Sequence, residues 1–251
     1  MDLSLRDRVV VVTGAGGAIG GAIAAQFVAE GAAVVLADLD LVAAQRVADS
    51  IGGDPGRAIA TQLDVSREAS WQDVVELVRT RFGRLDILVN NAGINSELDA
   101  VSETVEGFAH VVAVNEIGVW LGMKACIPLM REAGRGSIVN IASISGVVAG
   151  FGRAIAYHAT KASVRGMTRN SALRFAAEGI RINSVHPGPV NTPMQDKDRG
   201  TPIEQENLDL LMIKRFAEPA EVANVVVFVA SDRASFMTGA EVFVDGGFTA
   251  R

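Results

Sequence analysis

The apolar positions of this chain follow two alternating rhythms. Val9 to Val12 is an unbroken β-branched run, as a strand covered on both faces requires. Thr13-Gly14-Ala15-Gly16-Gly17-Ala18-Ile19-Gly20 follows at once. Ile19, Ile23 and Phe27 then recur at every fourth position, the buried stripe of a helix that runs to about Glu30 and stops at Gly31. The pattern predicts further strands over 33–37, 57–63, 85–89, 137–141, 180–185 and 241–244. Between them it predicts helices over 41–50, 66–81, 102–130, 156–176 and 218–231. Pro187-Gly188-Pro189 excludes helix and strand alike. The stretch 193–213 is polar and irregular, with room for one short helix, and is a candidate lid.

The alternation is sustained from Val9 to Val244 with no linker, repeat or low-complexity insert. It predicts an α/β fold: a doubly wound parallel sheet of about seven strands, Rossmann-like, with residues 1–251 forming a single domain. Ligands of such sheets bind at the strands' carboxyl ends. Here those ends carry Gly14, Asp38, Asp64, Asn90, Ser143 and Pro187, small, acidic or amide residues able to line one cleft.

Composition narrows the classes. Folding at this length buries about 70–75% of the extended chain's surface. The 49% hydrophobic content and 26 glycines suit a sheet buried on both faces with tight turns. A net charge of −6 with scattered Lys and Arg argues against nucleic-acid or anionic-membrane partners. The one cysteine, Cys126, excludes an intrachain disulfide and fits a reducing compartment as a buried small hydrophobe. No apolar run reaches the ~18 residues of a membrane span, and the N-terminus is unlike a signal peptide. The expectation is a cytoplasmic protein. His110, His158 and His186 show no ligand spacing, so no metal is expected. His158 is expected to face away from the helix side that carries Tyr157.

The first turn reads T-G-x-x-x-A-x-G rather than G-x-G-x-x-G, but the physics is shared: glycines allow a tight turn and bring a helix N-terminus up to a pyrophosphate. A P-loop is excluded, because no Gly-Lys-Ser/Thr is present. Asp38 lies 18 residues beyond Gly20 at the end of the second strand. A carboxylate there accepts hydrogen bonds from ribose hydroxyls and repels a 2′-phosphate, which favours NAD(H) over NADP(H). The competing reading of Asp38, and of Asp64, is a helix cap. Tyr157 and Lys161 lie one helical turn apart on the same face. An ammonium beside a phenol favours phenolate and lowers its pKa.

Together these segments resemble the short-chain dehydrogenase/reductase family over almost the whole chain. Thr13-Gly14 through Gly20 resembles its cofactor turn, with Ala18 where the family more often has glycine. The resemblance implies cofactor contacts from Gly14, Gly17, Ala18, Ile19 and Gly20, from Asp38 and Leu39, and from the adenine-contacting pair Asp64-Val65. Asn90-Asn91-Ala92-Gly93 resembles the family's N-N-A-G motif, with Asn91, Ala92 and Gly93 beside the cofactor. Pro187, Gly188, Val190 and Thr192 resemble the segment that holds the nicotinamide carboxamide, and Asp245-Gly246-Gly247 the C-terminal signature. Asn115, Ser143, Tyr157 and Lys161 fall at the catalytic tetrad, Tyr157 and Lys161 also meeting the cofactor. Thirteen residues separate Ser143 from Tyr157, one more than the family usually has; Ser145 leaves eleven. Ser143 is retained because it directly follows the strand, and the extra residue is assigned to the loop 147–156.

The resemblance implies hydride transfer between NAD(H) and a secondary alcohol or ketone. Tyr157 as phenolate would take the hydroxyl proton, with Lys161 lowering its pKa. Ser143 would bind the substrate oxygen, and Asn115 would hold a water beside Lys161. Leu98, Phe151, Ile155, Met194 and the segment to Met212 would surround an apolar substrate, cyclic or hydroxysteroid-like. A 3-oxoacyl thioester reductase is the alternative enzyme, and a non-catalytic NAD-binding sensor the alternative of another class. By analogy the chain is expected to form a homotetramer.

Overall fold

The computed structural model describes residues 3, 5–52, 56–149, 154–194 and 199–250. Its strands are β1 (Val9–Thr13), β2 (Ala33–Asp38), β3 (Ala58–Gln62), β4 (Ile87–Asn90), β5 (Gly136–Ile141), β6 (Ile180–Pro187) and β7 (Glu241–Val244). They form one sheet in the order β3-β2-β1-β4-β5-β6-β7, with every neighbouring pair parallel. The helices are α1 (Ala18–Ala29), α2 (Leu41–Ile51), α3 (Glu68–Phe82), α4 (Val105–Val112), α5 (Gly118–Glu132), α6 (Ile155–Phe175), α7 (Pro202–Leu210) and α8 (Pro219–Ala230).

Alternate side chains of a strand point to opposite faces, so the valine run of β1 feeds two cores. Val10 and Val12 join α1 and α8 residues such as Ile23, Phe27 and Val226 on one face. Val9 and Val11 join Trp71 and Val74 of α3 and Met130 of α5 on the other. The strand order reverses direction between β1 and β4, which opens a crevice at their carboxyl ends. A buried polar chain crosses the second layer: Asn90 donates to the Asn140 side chain at 2.9 Å, and Asn140 donates to Thr168 Oγ1 at 2.9 Å. Because buried amides lose free energy when unpaired, this chain fixes β4, β5 and α6 in register. It thereby sets where α6 presents its first turns.

Two expectations need correction. α3 begins at Glu68 with Arg67 at its cap position, not at Ser66. The reason is that Asp64 Oδ1 already engages Ser66, accepting from its N–H at 3.0 Å and from its Oγ at 2.6 Å. The helical run Val105–Glu132 is long and apolar enough to span a bilayer, with a mean hydropathy of 1.3 over its most apolar window. Half of that window is packed inside the protein, as in a core helix. A π-helical turn, Ala113–Ile117, interrupts it and carries Asn115.

Candidate active site

The turn after β1 depends on missing side chains. Gly14 has φ of +63°, and a Cβ on it would lie 2.8 Å from Ala92 Cα. At Gly20 a Cβ would lie 2.1 Å from the Gly14 carbonyl oxygen. Gly17 sits at the cap position of α1 with no side chain to occupy the helix's first N–H groups. Those donors therefore remain open at the positive end of the helix dipole, as a pyrophosphate requires. Gly20→Ala is expected to lower Tm by about 5–10 °C, from ~3 kcal/mol of overpacking in a chain of this size. It should also abolish NADH binding, and calorimetry with a fluorescence titration reads both. A variant of wild-type Tm and affinity would contradict the contact.

Asp38 is not a helix cap. Its Oδ2 accepts from Gly16 N–H at 2.8 Å and its Oδ1 from Asp40 N–H at 3.0 Å, so it ties β2 to the glycine turn. Asp40 caps α2 instead, accepting from Val42 and Ala43 N–H at 2.9 and 3.0 Å. Asn91 secures the same turn from β4, its Nδ2 donating to the carbonyls of Thr13 (2.9 Å) and Gly14 (3.2 Å). Thr13 Oγ1 accepts from the N–H groups of Asn91 and Ala92.

These ends enclose a cleft of about 830 Å³. Every catalytic and cofactor-binding residue expected from the sequence lines it except Asn115. Gly16, Asp40, Ile94, Asn95, His110 and His158 also line it and were not foreseen, while Ile203 and Asn207 line it from the expected segment 193–213. His158 is a correction: it follows Tyr157 on the first turns of α6, where the cleft wraps around the helix end, and it lines the wall rather than turning away. Its Nδ1 lies 2.9 Å from the Ala154 carbonyl. A carbonyl only accepts, so Nδ1 carries the proton. Met194 lines the cleft as expected, whereas Leu98, Ile155 and Met212 do not. Met212 is held instead against Gly247, its N–H donating to Gly246 O at 3.0 Å. Phe151 and residues 195–198 of the expected lid lie outside the described residues.

Ser143 follows β5 in extended conformation and caps the 3-10 turn Ile144–Gly146. Its Oγ accepts from Ser145 N–H at 3.1 Å, and the same side chain favours the charged form of the Tyr157 phenol. Thus Ser143, not Ser145, meets the tyrosine despite the longer spacing. Gly146 permits the approach, because a Cβ there would lie 2.5 Å from the Lys161 carbonyl carbon. Backbone-to-backbone contact thus sets the serine turn directly on α6.

Lys161 is buried, 3% exposed, and its Nζ donates to the Ile141 carbonyl at 2.8 Å. The ammonium stands 5.5 Å from the Tyr157 ring centre. Asn115 is fully buried behind the wall: Oδ1 accepts from Ile94 N–H and Nδ2 donates to Ile94 O, both at 2.8 Å. Nδ2 also lies 3.3 Å from Thr160 Oγ1. The Asn115 amide thus clamps the Ile94 backbone through both of its polar atoms. A Cβ on Gly93 would lie 3.3 Å from Asn115 Oδ1 and 3.5 Å from Lys161 Nζ, so the two side chains flank one glycine.

Without cofactor the phenol does not behave as the Tyr-Lys spacing suggests. Burial raises the Tyr157 pKa, and the hydrogen bond with Ser143 opposes this only in part. The same burial lowers Lys161 to about 8, weakening the charge meant to favour phenolate. The lysine also shapes stability. Its folded pKa lies below its unfolded value, so the unfolded chain binds more protons between about pH 8 and 10.5. Stability from this group therefore rises with pH across that window, by about 3 kcal/mol in full. Lys161→Met should remove this rise. Melting curves of ligand-free protein from pH 7.5 to 9.5 test it, and parallel curves for the two proteins would contradict it.

The family profile described as enoyl-(acyl carrier protein) reductase matches residues 14–249. The chain is 39% identical over 252 residues to a cyclohexanol dehydrogenase of Acinetobacter sp. (strain SE19), covering 100% of this chain and 98% of that one. It is 42% identical over 243 residues to a 3-alpha-(or 20-beta)-hydroxysteroid dehydrogenase of Mycobacterium tuberculosis (strain ATCC 25618 / H37Rv), covering 97% and 90%. A crystal structure assigned to a short-chain dehydrogenase/reductase of Burkholderia xenovorans superposes with a TM-score of 0.91 at 35% identity, covering 98% of each chain.

Proposed function

The chain belongs to the short-chain dehydrogenase/reductase family, and from that membership we propose an NAD-dependent dehydrogenase that interconverts a ring-borne secondary alcohol and its ketone. One observation carries the reading: Ser143, Tyr157 and Lys161 share a single cleft with an uncapped helix N-terminus. The similarity to cyclohexanol and hydroxysteroid dehydrogenases supports the substrate class.

The residues fit a dinucleotide. The open N–H groups at Ala18 and Ile19 suit its pyrophosphate, Asp38 the adenosine ribose, and Leu39, Asp64 and Val65 the adenine. Asn91 to Gly93 and Pro187, Gly188, Val190 and Thr192 wall the nicotinamide end. When bound, the oxidised cofactor would supply a hydride acceptor for the carbinol carbon and a positively charged ring in the cleft. Ser143 orients the substrate oxygen, and Tyr157 takes its proton during oxidation and returns it during reduction. Lys161 keeps a positive charge against Ile141, on the phenol's side of the cleft. Asn115 positions the Gly93-Ile94 backbone beside Lys161. NAD rather than NADP is favoured by two carboxylates, Asp38 and Asp40, on the cleft wall.

Residues 1–251 act as one catalytic unit in this reading. α7 covers the substrate end through Ile203 and Asn207, and Leu211 packs with Ile144 beside Ser143. Exposed Trp120, Leu173 and Phe243 support assembly as a homotetramer, which light scattering tests. A panel of ring alcohols with NAD⁺ should yield NADH absorbance. Absence of turnover across the panel in a protein that binds NADH would refute the reading. The profile's description favours an acyl thioester reductase as second reading, and a faster rate with NADPH on an acyl thioester would establish it.

A further inference from the structure

Beneath the serine, on the side away from the cleft, lies a histidine that the reaction scheme does not use. His186 is the penultimate residue of β6, fully buried, immediately before the Pro187-Gly188 wall. Its Nδ1 lies 3.2 Å from the Ser143 carbonyl oxygen and its Nε2 2.8 Å from Ser184 Oγ. Phe243, its partner in the β6–β7 register, packs against the ring with centres 5.0 Å apart. The regular β5–β6 ladder ends at the bond from Ala142 N–H to Val185 O, one residue short of Ser143. Beyond that point the His186 side chain makes the link between the two strands' ends.

We propose that His186 is a positioning residue, whose Nδ1–H holds the Ser143 carbonyl and so sets the Ser143 hydroxyl relative to both Tyr157 and the Pro187-Gly188 wall. The polarity is fixed by chemistry. A carbonyl only accepts, so Nδ1 donates; Nε2 of the neutral ring then accepts the Ser184 hydroxyl proton. Burial lowers the ring's pKa, in keeping with this neutral tautomer, with Glu241, Arg165 and Lys161 the charged groups around it. The Ser143 carbonyl is not left bare without the ring, because it also accepts from Gly146 N–H at 3.1 Å. That second bond lies within the turn itself and cannot fix the turn against β6. Losing the His186 bond therefore frees the turn to shift without unfolding it. A shift of this kind acts on turnover, since misplacing a reacting group by about 1 Å costs on the order of 100-fold.

The two ring nitrogens can be separated. Asparagine carries its amide nitrogen close to where the ring carries Nδ1, and glutamine close to where it carries Nε2. His186→Asn is expected to keep kcat within about threefold, and His186→Gln to lose it about 10- to 30-fold with KM for the alcohol and NADH affinity little changed. Ser184→Ala, which removes the Nε2 partner together with a 3.4 Å contact to the Ala240 carbonyl, should stay within about twofold of the parent. Tm is measured for all three. The proposal fails if glutamine preserves kcat better than asparagine, if Ser184→Ala falls as far as His186→Gln, or if kcat merely follows Tm. It rests on Ser143 and Tyr157 being the reacting pair. That premise fails separately, by persistent turnover in Tyr157→Phe, whatever the order of the His186 variants.

Discussion

Tyr157→Phe is expected to lower kcat for alcohol oxidation by about 10³-fold while leaving NADH binding intact, within the range that a positioned general acid or base contributes. The substitution removes one oxygen and leaves the ring in place. Lys161 Nζ is directed at the Ile141 carbonyl, so the ammonium beside the lost phenol is already engaged. The raised pKa of Tyr157 in the ligand-free protein sharpens the expectation. Phenolate is not stored in the resting site, so the base forms only when positive charge enters the cleft. Oxidation should accordingly quicken as pH rises above neutrality in the parent protein, and the residual rate of Tyr157→Phe should lose that slope. Stopped-flow turnover and a fluorescence titration with NADH separate the two effects. A variant that retained most of its turnover would remove Tyr157 from the mechanism.

Replacing Asp38 by alanine is the second large effect expected, and it acts on the cofactor. The kcat/KM for NAD should fall about 10- to 100-fold, because each charge-assisted hydrogen bond is worth ~1.5–3 kcal/mol. The loss has two sources. One is the pair of ribose hydroxyls that the carboxylate is proposed to bind. The other is the Gly16 N–H at 2.8 Å, without which the glycine turn loses its tie to β2. Use of NADP should improve only a few-fold. Asp40 remains on the same wall, and the turn residues Ala15, Gly16 and Gly17 offer no basic side chain to neutralise a 2′-phosphate. Steady-state rates with both cofactors decide the matter. A parent protein that already prefers NADP would show that Asp38 serves only the turn.

Much of this organisation was legible in the order of residues. The two hydrophobic rhythms predicted the seven strands and the helices between them, because periods of 2 and 3.6 are properties of the local backbone. Of the six carboxyl-end residues that followed from strand boundaries alone, Gly14, Asp38, Asp64, Ser143 and Pro187 line one cleft, whereas Asn90 is buried against Asn140. Boundaries shifted where a side chain was already engaged, as Ser66 is by Asp64. The lining also acquired residues that no spacing announced. Asp40 enters from the cap of α2 and His110 from α4, whose docking angles a periodicity does not record.

The Tyr157–Lys161 spacing is a statement about one helix, and it correctly places both side chains on the same wall. It carries no information about desolvation, so it predicted a lowered phenol pKa where burial raises it. In the same way the sequence named Asn115 but not its task, because only packing brings Ile94 against both atoms of its amide. The Ser143–Tyr157 pair shows the division most clearly. Counting residues left the serine one place out of register, whereas the close approach of Gly146 to the Lys161 backbone brings the serine turn onto α6. What local periodicity and side-chain chemistry encode, the chain states by itself: the sheet, the glycine turn and the reacting residue types. Distance, burial and hydrogen-bond partner depend on segments far apart in sequence, and the tertiary structure alone decided them.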